Sequence, residues 1–214
     1  MAEVKRPYDA SGRQAQARVR RRAVVVAAQE LFERDGFRAT TLAAVANRAG
    51  VSVKGLYKSF GSKAALAKAV FDVVIAGDDE PISVAERPEQ QAMLAEPDVR
   101  RKIDMFTHAL AHRQHRSAKV QILIRDGRHV DDSLDPVWQQ LSEEGSAAAT
   151  MVGAHLMATG QLRDDIELDE VRDVLWNYLM INTYEALVLE RGWALDRYAD
   201  WLARTVIASL CPQG

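Results

Sequence analysis

Residues 41–63, TLAAVANRAGVSVKGLYKSFGSK, alternate short apolar stripes with glycine stops. Leu42, Val45, Ala46 and Ala49 recur at the three-or-four spacing of a helix face, and Thr41 stands just before them, where its hydroxyl can accept from a first-turn amide. Gly50 is positioned to stop that helix. Ser52 is positioned to cap a second helix carrying Val53, Leu56, Tyr57 and Phe60, which Gly61 ends before Ser62 caps a third. Two helices this short, joined by about three residues that include glycine, match the helix-turn-helix geometry, in which the second helix enters the major groove of DNA.

Charge around this stretch agrees with a polyanionic partner. Residues 1–68 hold 14 Lys/Arg and 5 Asp/Glu, a balance of +9, whereas residues 69–214 hold 14 and 25, a balance of −11. A basic head on an acidic body implies that only the head meets phosphate, because attraction to the DNA backbone depends on local positive charge. The 214 residues, 48% hydrophobic and 27% charged, suffice for one large or two small domains with buried cores. Cys211 is the single cysteine, so no disulfide can form within the chain, as expected in a reducing cytoplasm. The apolar run Ala23–Ala28 is far short of the roughly 18 residues that cross a bilayer. A charged N-terminus leading into an amphipathic helix also lacks the apolar core of a secretion signal. The expected setting is the cytoplasm, on the nucleoid, without membrane contact.

Working outward, residues 1–15 lack periodicity and are expected to form a flexible basic arm. A helix is expected from Gln16 to Asp35, with Val19, Ala23, Val26, Ala27, Leu31 and Phe32 as its stripe and Gly36 as its end. With three further helices to about Ile75, residues 16–76 form a helix-turn-helix head. Residues 77–97 interrupt the pattern with Asp78, Asp79, Glu80, Pro81 and Pro88 and read as a connector. Residues 98–214 read as a larger helical body, with helices at about 98–115, 117–127, 135–159, 169–190 and 195–210. Asp135-Pro136 marks a helix start, and Gly160 and Gly192 mark ends. No alternating run supports a sheet, so the fold class is all-α.

Enzyme chemistry finds no footing. The chain lacks a G-x-S-x-G elbow, a phosphate-cradling glycine loop, H-E-x-x-H and C-x-x-C, and Cys211 is the fourth residue from the end. No cofactor is expected.

Residues 20–72, RRRAVVVAAQELFERDGFRATTLAAVANRAGVSVKGLYKSFGSKAALAKAVFD, closely resemble the N-terminal DNA-binding domain of TetR-family transcriptional repressors. The shared framework, A..LF...G...T.L..VA..AGVS...LY..F.SK..L, covers about fifty residues in register. The stretch AGDDEPISVAERP also looks like a linker of an actinobacterial-type subset of that family. The body is similar only in being helical and of suitable length. The resemblance implies a homodimer whose third helices read a palindromic operator in double-stranded DNA, with release when a small-molecule effector enters the body. A constitutive architectural DNA-binding protein and a ligand-carrier bundle are the alternatives; the carrier would not need a basic head.

Val53, Lys54, Gly55, Lys58 and Ser59 fall at positions that face DNA in the family, while Leu56 and Phe60 hold the helix to the head. Lys54 and Lys58 can donate to guanine or to phosphate. Tyr57 stands at the family's phosphate-contacting tyrosine, although a core tyrosine with a wet tip is the competing reading. Thr41, Ser52 and Lys63 sit at helix starts, where free amides favour an anion; Thr41 and Lys63 resemble family phosphate contacts. The family more often has Gly-Thr where this chain has Lys54-Gly55, so operator sequence cannot be carried over from relatives.

In the body, Met105, Leu123, Trp138, Met151, His155, Trp176, Tyr178 and Tyr184 are candidates to line an effector pocket, with plain core packing as the competing reading. Apolar residues nearly encircle the helix expected at 169–190, and the last helix is similarly rich. Val171, Leu175, Leu179, Leu187, Trp201, Leu202 and Ile207 are therefore candidates for a dimer interface. His108, His112 and His115, at i, i+4 and i+7, could face a transition metal, although a solvated stripe is the plainer reading and no metal is assigned.

Overall fold

The computed structural model describes residues 10–77 and 86–212, with side chains from residue 15 onward. The proposed arm therefore lies outside the described residues up to Asp9, as do residues 78–85 of the linker motif. All ordered elements among the described residues are helical. The chain divides between Val70 and Phe71 into two compact units.

In the first unit, α1 (Ala10–Ala39) is helical from Ala10, so residues 10–15 belong to it and not to an arm. Its axis breaks at Gly36, where φ is 79° and ψ 170°, a conformation open to glycine because it has no Cβ. The buried Thr40 hydroxyl donates to the Gly36 carbonyl at 2.8 Å, and the Thr40 amide donates to the same carbonyl at 3.3 Å, so both hold the chain across the break. Short helices α2 (Leu42–Arg48) and α3 (Val53–Phe60) follow, then α4 (Lys63–Ala76). Val24, Val25, Ala28, Leu31 and Phe32 of α1 pack in a core with Val45 and Ala46 of α2, Leu56 of α3 and Leu66 of α4. The expected α1 stripe shifts accordingly: Val19 and Val26 are 69% and 45% exposed, and their neighbours Val24 and Val25 take the core positions.

The second unit begins within α4 and continues through α5 (Pro88–Ala95), α6 (Val99–Gly127), α7 (Asp135–Met157), α8 (Leu168–Leu179), α9 (Asn182–Tyr184) and α10 (Leu195–Leu210). Three features differ from the sequence reading. Helix α5 lies inside the expected connector, and its Met93 is buried in the body's core. The helices expected at 98–115 and 117–127 are one continuous α6, with Ser117 buried in its middle. The helix expected at 169–190 is interrupted at Met180, where ψ reaches 150°, and resumes through α9 into a π-helical turn, Glu185–Glu190.

A buried amide explains that interruption. Gln114 of α6 is 2% exposed; its Nε2 donates to the carbonyl of Tyr178 at 2.8 Å and lies 3.3 Å from that of Met180, while its Oε1 accepts from the Tyr198 hydroxyl at 3.0 Å. The broken backbone thus has a partner in place of a helical amide. Burial pushes the Tyr198 hydroxyl well above the ordinary phenol range, so it remains the donor. Arg125 of α6 secures the resumed helix by donating to Asn182 and Glu185 at 2.9 and 2.6 Å. Arg116 holds the last turn of α4 by donating to the carbonyls of Val74 and Ile75 at 3.1 and 3.2 Å, supplying partners where a helix end has none of its own.

Candidate nucleic-acid interface

Helix α3 is set by its two ends and by one buried edge. The Ser52 hydroxyl accepts from the Gly55 amide at 3.0 Å, and Gly61, at φ 76°, closes the other end. Thr41 and Ser62 cap α2 and α4 in the same way, accepting from Ala44 at 3.1 Å and from Ala65 at 3.0 Å. Gly50, at φ 66°, makes the turn between α2 and α3. Leu56 and Phe60 are buried, one turn apart, and so fix which side of α3 faces out.

That outward side carries Val53, Lys54, Gly55, Tyr57, Lys58 and Ser59, all exposed. Tyr57 is 52% exposed, which removes the core-tyrosine reading and leaves its hydroxyl available to a partner. Two ammonium groups, two hydroxyls and a stretch of bare backbone at Gly55 form a convex polar surface that can donate to phosphates or base edges and holds no acid. Lys63 is placed differently from the other expected contacts. Its ammonium donates to the Phe37 carbonyl at 2.8 Å and lies 4.2 Å from the centroid of the Phe37 ring, so it ties the start of α4 to the tail of α1. No local signal announces this contact, because it spans 26 residues.

The family model for bacterial regulatory proteins of the tetR family matches residues 24–70, the same stretch that builds this head. Residues 24–70 form a TetR-family DNA-binding head. Solved structures share the fold over most of the chain's length. A protein from Mesorhizobium loti described as a TetR-family transcriptional regulator is 18% identical, with a TM-score of 0.67 over 94% of this chain and 99% of that one. FadR of Bacillus subtilis, solved in complex with stearoyl-CoA, is 12% identical, with a TM-score of 0.69 over 87% and 97%. A transcriptional regulator from Saccharomonospora viridis, solved in complex with choline, is 15% identical, with a TM-score of 0.65 over 94% and 100%. At these identities the likeness establishes the fold alone. No curated protein matches by sequence.

The body's candidates scatter. Tyr184 is buried in the core, packed edge-on against Tyr198, so it cannot line an open pocket. His155 is exposed, and Trp138 lies under the Arg128 guanidinium, 5.3 Å from its ring centroid. Met105, Met151, Trp176 and Tyr178 are half-buried against the core, and Leu123 is half-buried on α6. An open cleft of about 580 Å³ is lined by Tyr178 with Asp165, Glu167, Asp169, Glu170, Asp173, Val174, Asn177 and Ser209, none of which the sequence suggested. Arg163 pairs with Glu170 and Asp165, and Arg172 pairs with Asp173, so much of the cleft's acidity is already answered.

Three of the seven dimer candidates need correction. Val171, Leu175 and Leu202 are fully buried within the protomer's own core, leaving Leu179, Leu187, Trp201 and Ile207 half-buried. The three histidines also do not act as one group. His108 lies between Asp104 and Asp200, with its Nε2 3.2 Å from the latter, while His115 Nδ1 meets the Tyr184 hydroxyl at 3.0 Å and His112 is exposed. Among the described residues, no three His, Cys, Asp or Glu side chains converge on a point that could hold a metal.

Proposed function

We propose that this chain is a transcriptional repressor that binds a palindromic operator as a homodimer and releases it when a small molecule enters the body. The observation that carries this reading is the outward side of α3, which is basic and hydroxyl-bearing and is held by caps at both ends within the family's matched segment. Val53, Lys54, Gly55, Tyr57, Lys58 and Ser59 would meet base edges and phosphates, with the capped starts of α2 and α3 at Thr41 and Ser52 offering amides to phosphate. Lys63 would serve chiefly by holding α4 against α1. Half-buried Leu179, Leu187, Trp201 and Ile207 would contribute to the contact with a second copy. Met105, Met151, Trp176 and Tyr178 would be the first side chains to test for effector contact. The protein would act in the cytoplasm, on the nucleoid.

Footprinting of the intergenic DNA beside the gene tests this proposal. The dimer is expected to protect one palindrome and to prefer it strongly to bulk DNA. Protection without sequence preference, combined with a steep salt slope, would favour an architectural protein instead.

A further inference from the structure

We infer that the body holds an organic acid with an apolar tail, whose carboxylate is received by Arg113 and Gln90 where α5 packs on α6. This inference rests on the reading above that a small molecule enters the body, and the acid is then the effector. Arg113 stands on the inward side of α6: Phe106 and Leu110 before it and Ser117 after it, at helical spacing, are all buried. Its own side chain is half-buried, yet among the described residues no carbonyl or carboxylate accepts from its guanidinium. Arg116, one turn on, is by contrast occupied by the carbonyls of Val74 and Ile75. Burial, and then the charge of Arg116, push the Arg113 guanidinium down to about 10, while exposed Glu89 of α5 pulls the other way without forming an ion pair. Arg113 therefore keeps its charge at neutral pH, a cation set against apolar side chains with no anion on it.

Helix α5 supplies a second unanswered group. Gln90 is 5% exposed, and among the described residues its amide has no hydrogen-bond partner, although buried amides are ordinarily paired. It shares a face of α5 with Met93, which is buried in the body's core, and it follows Glu89, the acid whose charge reaches Arg113. Lys102 of α6 already secures the end of α5 by donating to the Leu94 carbonyl at 3.0 Å, so the two helices are joined without help from Arg113 or Gln90. A carboxylate answers both groups. The guanidinium presents paired donors that match two oxygens, and the Gln90 amide adds another. Met93, Phe106 and Leu110 make the surroundings apolar, so the rest of the ligand is apolar too. A phosphate dianion fits less well, because the unpaired guanidinium balances one negative charge and the second would be buried without a partner.

The test follows tryptophan fluorescence of the full-length protein in urea. The probes are straight-chain monocarboxylates from butanoate to dodecanoate, below their micellar concentrations, and the matching primary alcohols. The acids are expected to raise the unfolding midpoint saturably, with affinity growing about fourfold per methylene. They should bind at least about tenfold more tightly than the alcohols. Arg113→Met, which keeps the length and removes the charge, should weaken the acids about tenfold or more and leave the alcohols unchanged. Without ligand, that variant should unfold at the same urea concentration as wild type or a higher one, because an unpaired buried charge has been removed. Gln90→Leu should weaken the acids alone, by less. Equal binding of acids and alcohols, or acid binding indifferent to Arg113→Met, would overturn the inference and leave the small-molecule reading standing. Absence of stabilisation by any acid would overturn it as well, and so would an unliganded Arg113→Met that unfolds earlier than wild type, since Arg113 would then be structural. Acid binding that depends on Arg113 but leaves affinity for the footprinted operator unchanged would uphold the acid site and overturn the reading of release by an effector.

Discussion

The head and the body are both helical, yet they are specified in different ways. In the head, each helix is bounded by residues adjacent to it in sequence: Thr41, Ser52 and Ser62 at the starts, Gly36, Gly50 and Gly61 at the stops. In the body, the decisive boundary is made at long range. Helix α8 ends where Gln114, more than sixty residues earlier, meets the carbonyls of Tyr178 and Met180. Local signals shape the surface that reads DNA, whereas tertiary polar contacts shape the unit behind it.

The sharpest way to break this contrast is Gln114→Leu. It keeps approximate volume but leaves two buried carbonyls and the Tyr198 hydroxyl without their amide partner, and each such loss costs roughly 1–3 kcal/mol. A destabilisation of about 3 kcal/mol is expected, since the carbonyls can partly relax toward other donors. The four tryptophans, at 138, 176, 193 and 201, all lie in the body, so their fluorescence in urea follows that unit alone. A shift below about 1 kcal/mol would show that the α8 interruption does not depend on Gln114.

A smaller effect, confined to the other unit, is expected from Gly50→Ala. At φ 66° an alanine pays the left-handed steric penalty of about 1–2 kcal/mol, and the space around the position is open, so backbone strain acts alone. Helical circular dichroism should reveal earlier melting of the head while the tryptophan transition stays in place. An equal shift in both signals would show that the two units unfold together, and the contrast between them would then concern folding information and not independent stability.

These cases indicate what can be read from the chain. The caps and stops of the head were visible because serine, threonine and glycine act within a turn of where they stand. The exposed side of α3 followed from the burial of Leu56 and Phe60. The α8 interruption was not visible, because neither Met180 nor Ile181 breaks helices and the cause sits on α6. The polar run Arg113-Gln114-His115-Arg116 read as solvated surface, yet Gln114 is buried to satisfy that interruption. Likewise, apolar residues all round α8 were compatible with either a core or an interface, and full burial of Val171 and Leu175 assigns those two to the core. Lys63 resembled a phosphate contact at a helix start, because its partners, the Phe37 and Arg38 carbonyls, leave no mark in side-chain sequence.

Gly55 gives the smallest and most discriminating effect. Unlike Gly36, Gly50 and Gly61, it has no positive φ, so the backbone of α3 does not need a glycine there. Alanine in a helix is favoured over glycine by about 1 kcal/mol, so the residue lowers the stability of the helix it occupies. One contact opposes the replacement: a Cβ at Gly55 would come within 3.0 Å of the Ser52 hydroxyl, which is the cap of that same helix. A serine hydroxyl on an exposed first turn can move by a few tenths of an ångström, which should reduce the gain without reversing it. Gly55→Ala is therefore expected to stabilise the head by roughly 0.5 kcal/mol. If the glycine is there so that DNA can approach the backbone between Lys54 and Tyr57, the same variant should bind DNA more weakly than wild type. Stability and affinity measured on one preparation separate the two roles: a variant both more stable and equally tight on DNA would show that Gly55 has no part in close approach.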